Sequence, residues 1–265
     1  SRGLGDVYKR QVEQWDDALE VVPDDARIPH RVVLRKGVTP LPVKLKRGLK
    51  VVVKVDPWER PSVPLRGEVI EVLGEAGDPA IEFQAILRRY GLSEGFPEAA
   101  VAEASRFPAE VPEDDDPSRL DLRASEVITI DPDDARDFDD AICVTRRDDG
   151  WEAWVHVADV SHYVKPGSAL DREAARRGNS TYLPGKVIPM LPEALSNGLC
   201  SLRPAVDRMA FSVRMRFTPV GKVREATFAK TRIRSMARLT YRQALAILED
   251  RIGQVDTDPR GVGAE

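Results

Sequence analysis

One stretch of this chain alternates cleanly between apolar and other positions. Met209, Phe211, Val213, Met215 and Phe217 are interleaved with Ala210, Ser212, Arg214 and Arg216. A period of two sends successive side chains to opposite faces and predicts a half-buried strand. Lys222–Ala229 follows across Pro219–Gly221, a turn signal, and is expected to pair back on it. Shorter runs rich in Val and Ile predict strands at Leu19–Val22, Arg31–Leu34, Lys50–Val55, Gly67–Leu73, Val127–Ile130, Ala141–Thr145 and Trp151–Val157. Helical spacing appears at Pro79–Tyr90, where Ile81, Phe83, Ile86 and Leu87 recur on one side, and again at Pro97–Phe107. Ser168 and Asp171 open a helix over Ala169–Arg177 that Gly178 closes. Thr240 caps a last helix, with Gln243 in the reciprocal position and Leu245, Leu248 and Ile252 on one face. Tyr182–Pro192, with three prolines, reads as an ordered loop.

These elements group into blocks. Residues 12–77 hold short strands separated by Pro, Gly and Asp turns, the pattern of a small β-barrel. Residues 78–119 read as a helical connector ending in the acidic, Pro-rich linker Pro108–Arg119, expected to be a solvated hinge. Residues 120–265 mix strands and helices without a repeating unit, so the fold class is α+β. Residues 1–11 show no periodicity and no initiator Met and are set aside as a non-native scar. Asp256–Glu265 carries no core pattern either, and the chain reads as a fragment cut at both ends.

Composition narrows the function classes. The hydrophobic set is 42 % and charged residues are 32 % of 265 residues, enough to bury a core, which excludes wholesale disorder. No apolar run approaches the ~20 residues of a membrane helix, so no membrane partner is expected. Cys143 and Cys200 cannot form a disulfide framework and lack zinc-site spacing, which fits a reducing, cytoplasmic setting. No phosphate-cradling Gly-rich loop is present, so no nucleotide cofactor is expected. The net charge of −4 gives no global basic footprint. Locally, however, Arg27, Arg31, Arg35, Lys36, Lys44, Lys46, Arg47, Lys50 and Lys54 run without an acid until Asp56. That is either a solvated barrel face or a groove that follows a phosphate backbone, with Trp58 as a stacking or packing residue.

The densest chemistry is ITIDPDDARDFDDAI, residues 128–142. Asp131, Asp133, Asp134, Asp137, Asp139 and Asp140 repel one another unless water or cations neutralise them. Oxygen donors alone suit Mg²⁺ or Mn²⁺, and such centres typically hydrolyse or transfer phosphoryl groups. Composition alone leaves a solvated acidic turn as an equal reading. An EF-hand is a poor match, because Arg136 and Ile142 stand where its Gly and Glu are required. Phe138 inside the cluster disfavours a wholly solvated loop.

At these residues a resemblance emerges. IDPDDARDFDDA, the run from WVHVADVSHYVKPG through STYLPGKVIPMLPEALSNGLCSL, and RPAVDRMAFSV resemble the ribonuclease II family of RNB-domain exoribonucleases. VVPDDAR, GEVIEVLG, LDLR and SMARLTYRQALAIL extend it over nearly the whole chain after residue 11. The resemblance implies a cold-shock, OB-like barrel over 12–77, followed by an incomplete RNB catalytic domain over 120–265. It implies a processive Mg²⁺-dependent 3′→5′ exoribonuclease, with Mn²⁺ as the alternative metal, acting on single-stranded RNA and releasing nucleoside 5′-monophosphates. The family's four aspartates fall on Asp131, Asp137, Asp139 and Asp140 as metal positions, with Asp139 the catalytic one. Tyr182 falls on the tyrosine that stacks a base near the 3′ end. Arg35, Lys36, Lys44, Lys46 and Arg47 are the expected RNA contacts of the barrel. A monomer is expected, and the fragment alone is expected to be inactive. The rival is a non-catalytic RNA-binding protein on the same scaffold.

Other residues carry plainer expectations. His156 and His162 read as satisfied structural histidines, and Arg136 as a bridge between carboxylates. Asp159 reads as orienting the sheet edge. Cys143 and Cys200 read as buried small hydrophobes. Arg214 and Arg216 read as exposed strand arginines.

Overall fold

The computed structural model describes residues 8–15, 18–23, 30–35, 43–58, 63–112 and 116–251. They form two compact units, Ser1–Glu94 and Gly95–Glu265.

In the first unit, β1 (Tyr8–Trp15), β2 (Ala18–Val21), β3 (Val32–Leu34), β4 (Leu49–Val55) and β5 (Leu65–Glu75) close into a barrel in the order β1-β2-β3-β5-β4. This is the five-stranded arrangement of an OB-like module. Val12, Val21, Val32, Val51, Val53, Leu65 and Val69 fill it. The run Val51–Val53 is apolar on both sides for a reason. Val51, Val53 and Val55 point into the barrel, while Val52 faces out and packs with Leu73 against Ala85 of α1 (Pro79–Arg89). Asp78 caps that helix by accepting from the Ala80 N–H at 2.8 Å. Arg88 clamps it to Glu71 of β5 through two bonds of 2.9 and 2.8 Å.

Two expected boundaries are corrected here. Tyr8–Gln11, set aside above with residues 1–11, form half of β1 and pair with Val53–Lys50 of β4. Strand pairing uses main-chain groups, so it proceeds without an apolar pattern. The 78–119 connector is not a separate element: α1 covers the barrel, and α2 (Glu98–Ala104) belongs to the second unit through buried Ala100 and Ala104.

The second unit continues with β6 (Leu120–Asp121), β7 (Val127–Asp131), β8 (Asp140–Arg147), β9 (Gly150–Ala158), α3 (Val160–Tyr163) and α4 (Ala169–Arg177). The hairpin β10 (Thr181–Leu183) and β11 (Lys186–Ile188) occupies what reads in sequence as a loop. A wide helical turn over Ala194–Leu199 leads to β12 (Asp207–Phe217), β13 (Val223–Thr240) and α5 (Tyr241–Leu248). The sheet order is β12-β9-β8-β7-β13-β6, and β12 also pairs with β13. The early part of β13 runs antiparallel to β12, and its end runs parallel to β7, so the pairing returns on itself. Gly150, at φ +143°, turns β8 into β9; a Cβ there would lie 1.9 Å from the Phe217 carbonyl oxygen.

The core of this unit includes Val127, Ala141, Cys143, Leu170, Leu195, Leu199, Leu202, Met209 and Ile233. The linker expectation is also corrected. Val111 and Arg119 are buried, and Arg119 donates to Asp159 Oδ2 at 2.5 Å and Asp116 Oδ2 at 2.9 Å.

Candidate active site

β7 ends on Asp131 and β8 begins on Asp140, so the two strands carry the acidic segment between them. Ile128 pairs with Ile142, and Asp140 with Val157 of β9. The connecting loop is held from three sides. The Ala158 N–H donates to the Asp139 carbonyl at 2.9 Å. The Leu202 N–H donates to the Phe138 carbonyl at 2.8 Å. The Arg238 guanidinium donates to the Pro132 carbonyl and lies over the Phe138 ring, 5.6 Å from its centroid. Phe138 packs on the core, while Asp133 and Asp134 are exposed. The ring therefore anchors the loop from which Asp137 and Asp139 project.

The carboxylates feel one another. Burial pushes Asp131 above the ordinary carboxylate range, with the Asp140 and Asp137 charges adding to it. Its Oδ2 is buried without a hydrogen-bond partner among the described residues. Asp139 keeps an open face to solvent, yet it too is pushed up, first by partial loss of water and then by Asp137, Asp140 and Asp131. Tyr182 of β10 reaches the same point: its hydroxyl donates to Asp137 Oδ2 at 2.7 Å and is pushed up to about 12 by that bond. Its ring is 65 % exposed. Asp131, Asp137, Asp139, Asp140 and Tyr182 thus share one end of the sheet. Asp133 stands apart in a surface pair with Arg242 at 3.2 Å.

This donor set fits a hard divalent cation. It is all oxygen, mutually repulsive, and contains one buried carboxylate oxygen with no donor. Among the described residues, no three His, Cys, Asp or Glu side chains converge into a ready-made coordination shell. An incomplete shell suits Mg²⁺, which keeps several waters and uses one or two carboxylates together with substrate phosphate oxygens.

The other candidates sort as follows. In the barrel, Arg35 is engaged by Asp56 at 2.9 Å and Glu68 at 2.9 Å, and Lys46 by Glu75 at 2.8 Å. Lys50 pairs with Glu82 of α1. Lys44 and Arg47 stand exposed, and Lys36 lies outside the described residues. Nearby acids distant in sequence thus neutralise part of the basic run. Trp58 packs partly on the barrel core, donates to the Val63 carbonyl at 2.8 Å and meets His30 edge-on.

Arg136 does not bridge carboxylates: its side chain is exposed, and the loop is held through its carbonyl instead. His156 is fully buried against Ser212 Oγ at 2.7 Å, but its Nε2 has no partner among the described residues. Burial lowers it to about 4, so it is neutral at pH 7. His162 Nδ1 lies 3.2 Å from Arg119. Burial raises Asp159, but the Ser161 hydroxyl and Arg119 outweigh this and hold it below the ordinary range. Arg214 and Arg216 face Glu152, Glu225 and Asp149. Cys143 and Cys200 are buried. The residues that sequence reasoning passed over are Arg238 and Ser201, which hold the loop by bonds to its main chain. Such bonds carry no charge or periodicity signal.

Comparison with known proteins places these features in a family. An RNB domain profile matches residues 119–258, and a cold shock domain profile matches residues 21–97. The chain is 44 % identical to ribonuclease R of Vibrio parahaemolyticus over 234 residues, covering 86 % of this chain and 27 % of that protein. It is 42 % identical to ribonuclease R of Aquifex aeolicus over 248 residues, covering 93 % of this chain and 35 % of that protein. Mycoplasma genitalium RNase R, solved in complex with double-stranded RNA, matches 96 % of this chain and 44 % of its own, with TM-score 0.82 and 28 % identity. The chain therefore spans about a third of the length of these relatives.

Proposed function

This chain belongs to the RNB-domain family, and from that premise we propose that it is the barrel and carboxylate-loop portion of a metal-dependent 3′→5′ exoribonuclease acting on single-stranded RNA. The observation that carries the reading is the gathering of Asp131, Asp137, Asp139 and Asp140 at one end of the sheet, with Asp131 and Asp139 both pushed up. A solvated acidic turn would not bury Oδ2 of Asp131 or pack Phe138 against the core.

Asp131, Asp137 and Asp140 would hold Mg²⁺ or Mn²⁺, and Asp139 is the carboxylate most critical to cleavage. The metal, when bound, supplies a Lewis acid for the scissile phosphate and an activated water. The protein contributes position. Strands β7 and β8 fix Asp131 and Asp140, Phe138 fixes the turn between them, and Tyr182 offers a ring beside Asp137. Stacking on that ring is sequence-tolerant, which suits an enzyme that must accept any base. Lys44 and Arg47 are exposed on the barrel and would meet backbone phosphates, with counterion release as the driving term. Nucleoside 5′-monophosphates are the expected products, and a monomer in the cytoplasm the expected state.

The test is Asp139→Asn in the full-length protein, with a 3′-tailed labelled RNA and Mg²⁺. Loss of mononucleotide release with RNA binding retained supports the reading. Undiminished turnover overturns the assignment of Asp139. An unaltered full-length protein that binds RNA and releases nothing supports the rival, a non-catalytic RNA-binding protein on this scaffold.

A further inference from the structure

We infer that Ser201 is a positioning residue for the carboxylate loop, locked in place by the buried Arg208. The inference rests on the function proposed above. Ser201 follows the wide turn Ala194–Leu199 and is 0 % exposed. Its one hydroxyl makes two bonds to the loop. It donates to the Arg136 carbonyl at 2.9 Å and accepts from the Phe138 N–H at 3.1 Å. Asp137 lies between those two residues, so a single side chain pins the main chain on both sides of a candidate metal ligand. The next residue extends the grip, because the Leu202 N–H donates to the Phe138 carbonyl at 2.8 Å.

Ser201 needs an anchor of its own, and Arg208 supplies it. The Arg208 side chain is 1 % exposed, and its Nε donates to the Ser201 carbonyl at 2.7 Å. Nη1 donates to the Asp207 carbonyl at 2.7 Å. Among the described residues Arg208 has no carboxylate within ion-pair distance, and its Nη2 has no hydrogen-bond partner. Burying a guanidinium in this way is costly, and carbonyl partners repay only part of that cost. A fold that needed only to fill space would place an apolar side chain here. What the guanidinium adds is direction: its planar fork fixes two carbonyls at once and so sets where the Ser201 hydroxyl points.

The consequence is geometric. Four like charges on a short loop push it open when no cation is present. The hydroxyl bonds at residues 136 and 138 oppose that movement at the point where Asp137 and Asp139 diverge. Removing the hydroxyl leaves the carboxylates in the sequence but free to spread.

The experiment uses the 265-residue chain with Ser201→Ala and Ser201→Thr, and Asp140→Asn as a reference. Amide exchange of Phe138 is read alongside Mn²⁺ affinity by electron paramagnetic resonance. We expect Phe138 to be protected in the unaltered chain, to exchange at least tenfold faster in Ser201→Ala, and to recover protection in Ser201→Thr. Mn²⁺ affinity should fall about ten- to a hundredfold in Ser201→Ala, the usual scale for losing a group that orients a ligand. Thr should restore it, since a merely space-filling role would not distinguish Thr from Ala in this way. Unchanged Phe138 exchange and Mn²⁺ affinity in a folded Ser201→Ala overturns the inference. If that variant fails to fold, an unprotected Phe138 amide in the unaltered chain overturns it equally. An unaltered chain that binds Mn²⁺ no better than Asp140→Asn would sink the metal reading instead, and the exchange data then decide the clamp alone.

Discussion

The hydroxyl of Tyr182 and Oδ2 of Asp137 lie 2.7 Å apart, so an exposed aromatic ring is tethered by its polar end to the carboxylate loop. The ring and the hydroxyl can be tested separately. Tyr182→Phe keeps the stacking face and should retain most RNA affinity in the full-length protein. Tyr182→Ala should lose about 1–3 kcal/mol, the scale of one stacked base. Titration of a fluorescent 3′-tailed RNA measures both, and equal losses in the two variants would show that the tether, not the ring, does the binding.

Asp139 offers a stability test of opposite sign to the activity test. Its carboxyl is raised above the ordinary 3.8, so the folded state holds its proton more tightly than the unfolded state does. Stability is therefore lost as pH rises from the ordinary value through the raised one, and at pH 7 the full repulsion is present. Asp139→Asn should raise the stability of the metal-free chain at pH 7, by an amount that solvent screening at this exposed residue keeps small. The gain should shrink toward pH 4. Adding Mn²⁺ should raise the melting temperature of the unaltered chain more than that of the variant. Thermal scans at the two pH values, with and without Mn²⁺, check all three.

His156 works in the other direction. Its folded value near 4 lies below the ordinary 6.5, and burial is the cause. The unfolded chain takes up a proton first, so stability is complete above pH 6.5 and falls as pH drops toward 4. For this fully buried ring the loss is about 3 kcal/mol across the window. Urea unfolding at steps between pH 7.5 and 4.5 should show that slope. His156→Gln should flatten it while lowering stability overall through its altered packing against Ser212.

The ion pair between Arg119 and Asp159 predicts a contrast with a surface pair. Both side chains are almost wholly buried, at 1 % and 4 %. Arg119→Ala strands a buried carboxylate and should cost about 3–5 kcal/mol. Arg242→Ala removes a pair whose side chains are 79 % and 61 % exposed, and chemical denaturation should detect almost no change. Similar costs for the two would mean that Arg119 is not structurally special.

Residues whose neighbours in sequence are also their neighbours in space were legible from sequence. The cap at Ser168, the capping box at Thr240 and the strands flanking the aspartates form as read. Met209–Phe217 is a strand as read, but its sides are not those the alternation predicts: Phe211 is exposed, while Ala210 and Ser212 are buried against the neighbouring strands. The aspartates and Tyr182 were found through long motifs, and the fold brings them together. What escaped depends on partners far along the chain. β13 extends well beyond Ala229 because Thr231, Arg232, Ser235 and Arg238 are polar yet buried. Each bonds to Ser212, Asp207, Val127 or Pro132, and no hydropathy pattern announces such bonds. The charge of Arg35 was visible, but Asp56 and Glu68 beside it were not. Ser201 is silent in sequence for the same reason: its role lies in two main-chain groups more than sixty residues upstream.

The parallel pairing of β7 with β13 also sets a timetable. Ser235 and Val127 meet across 108 residues of chain. Contacts that distant form late, since the intervening loop must close first. During synthesis from the N-terminus, β7 emerges long before the strand that braces it, while the barrel is already complete. The barrel is thus ready while the aspartate edge is still open, and that edge is braced only after β13 has docked alongside Asp131. A chain still leaving the ribosome would therefore carry these aspartates on an unbraced strand until β13 arrives.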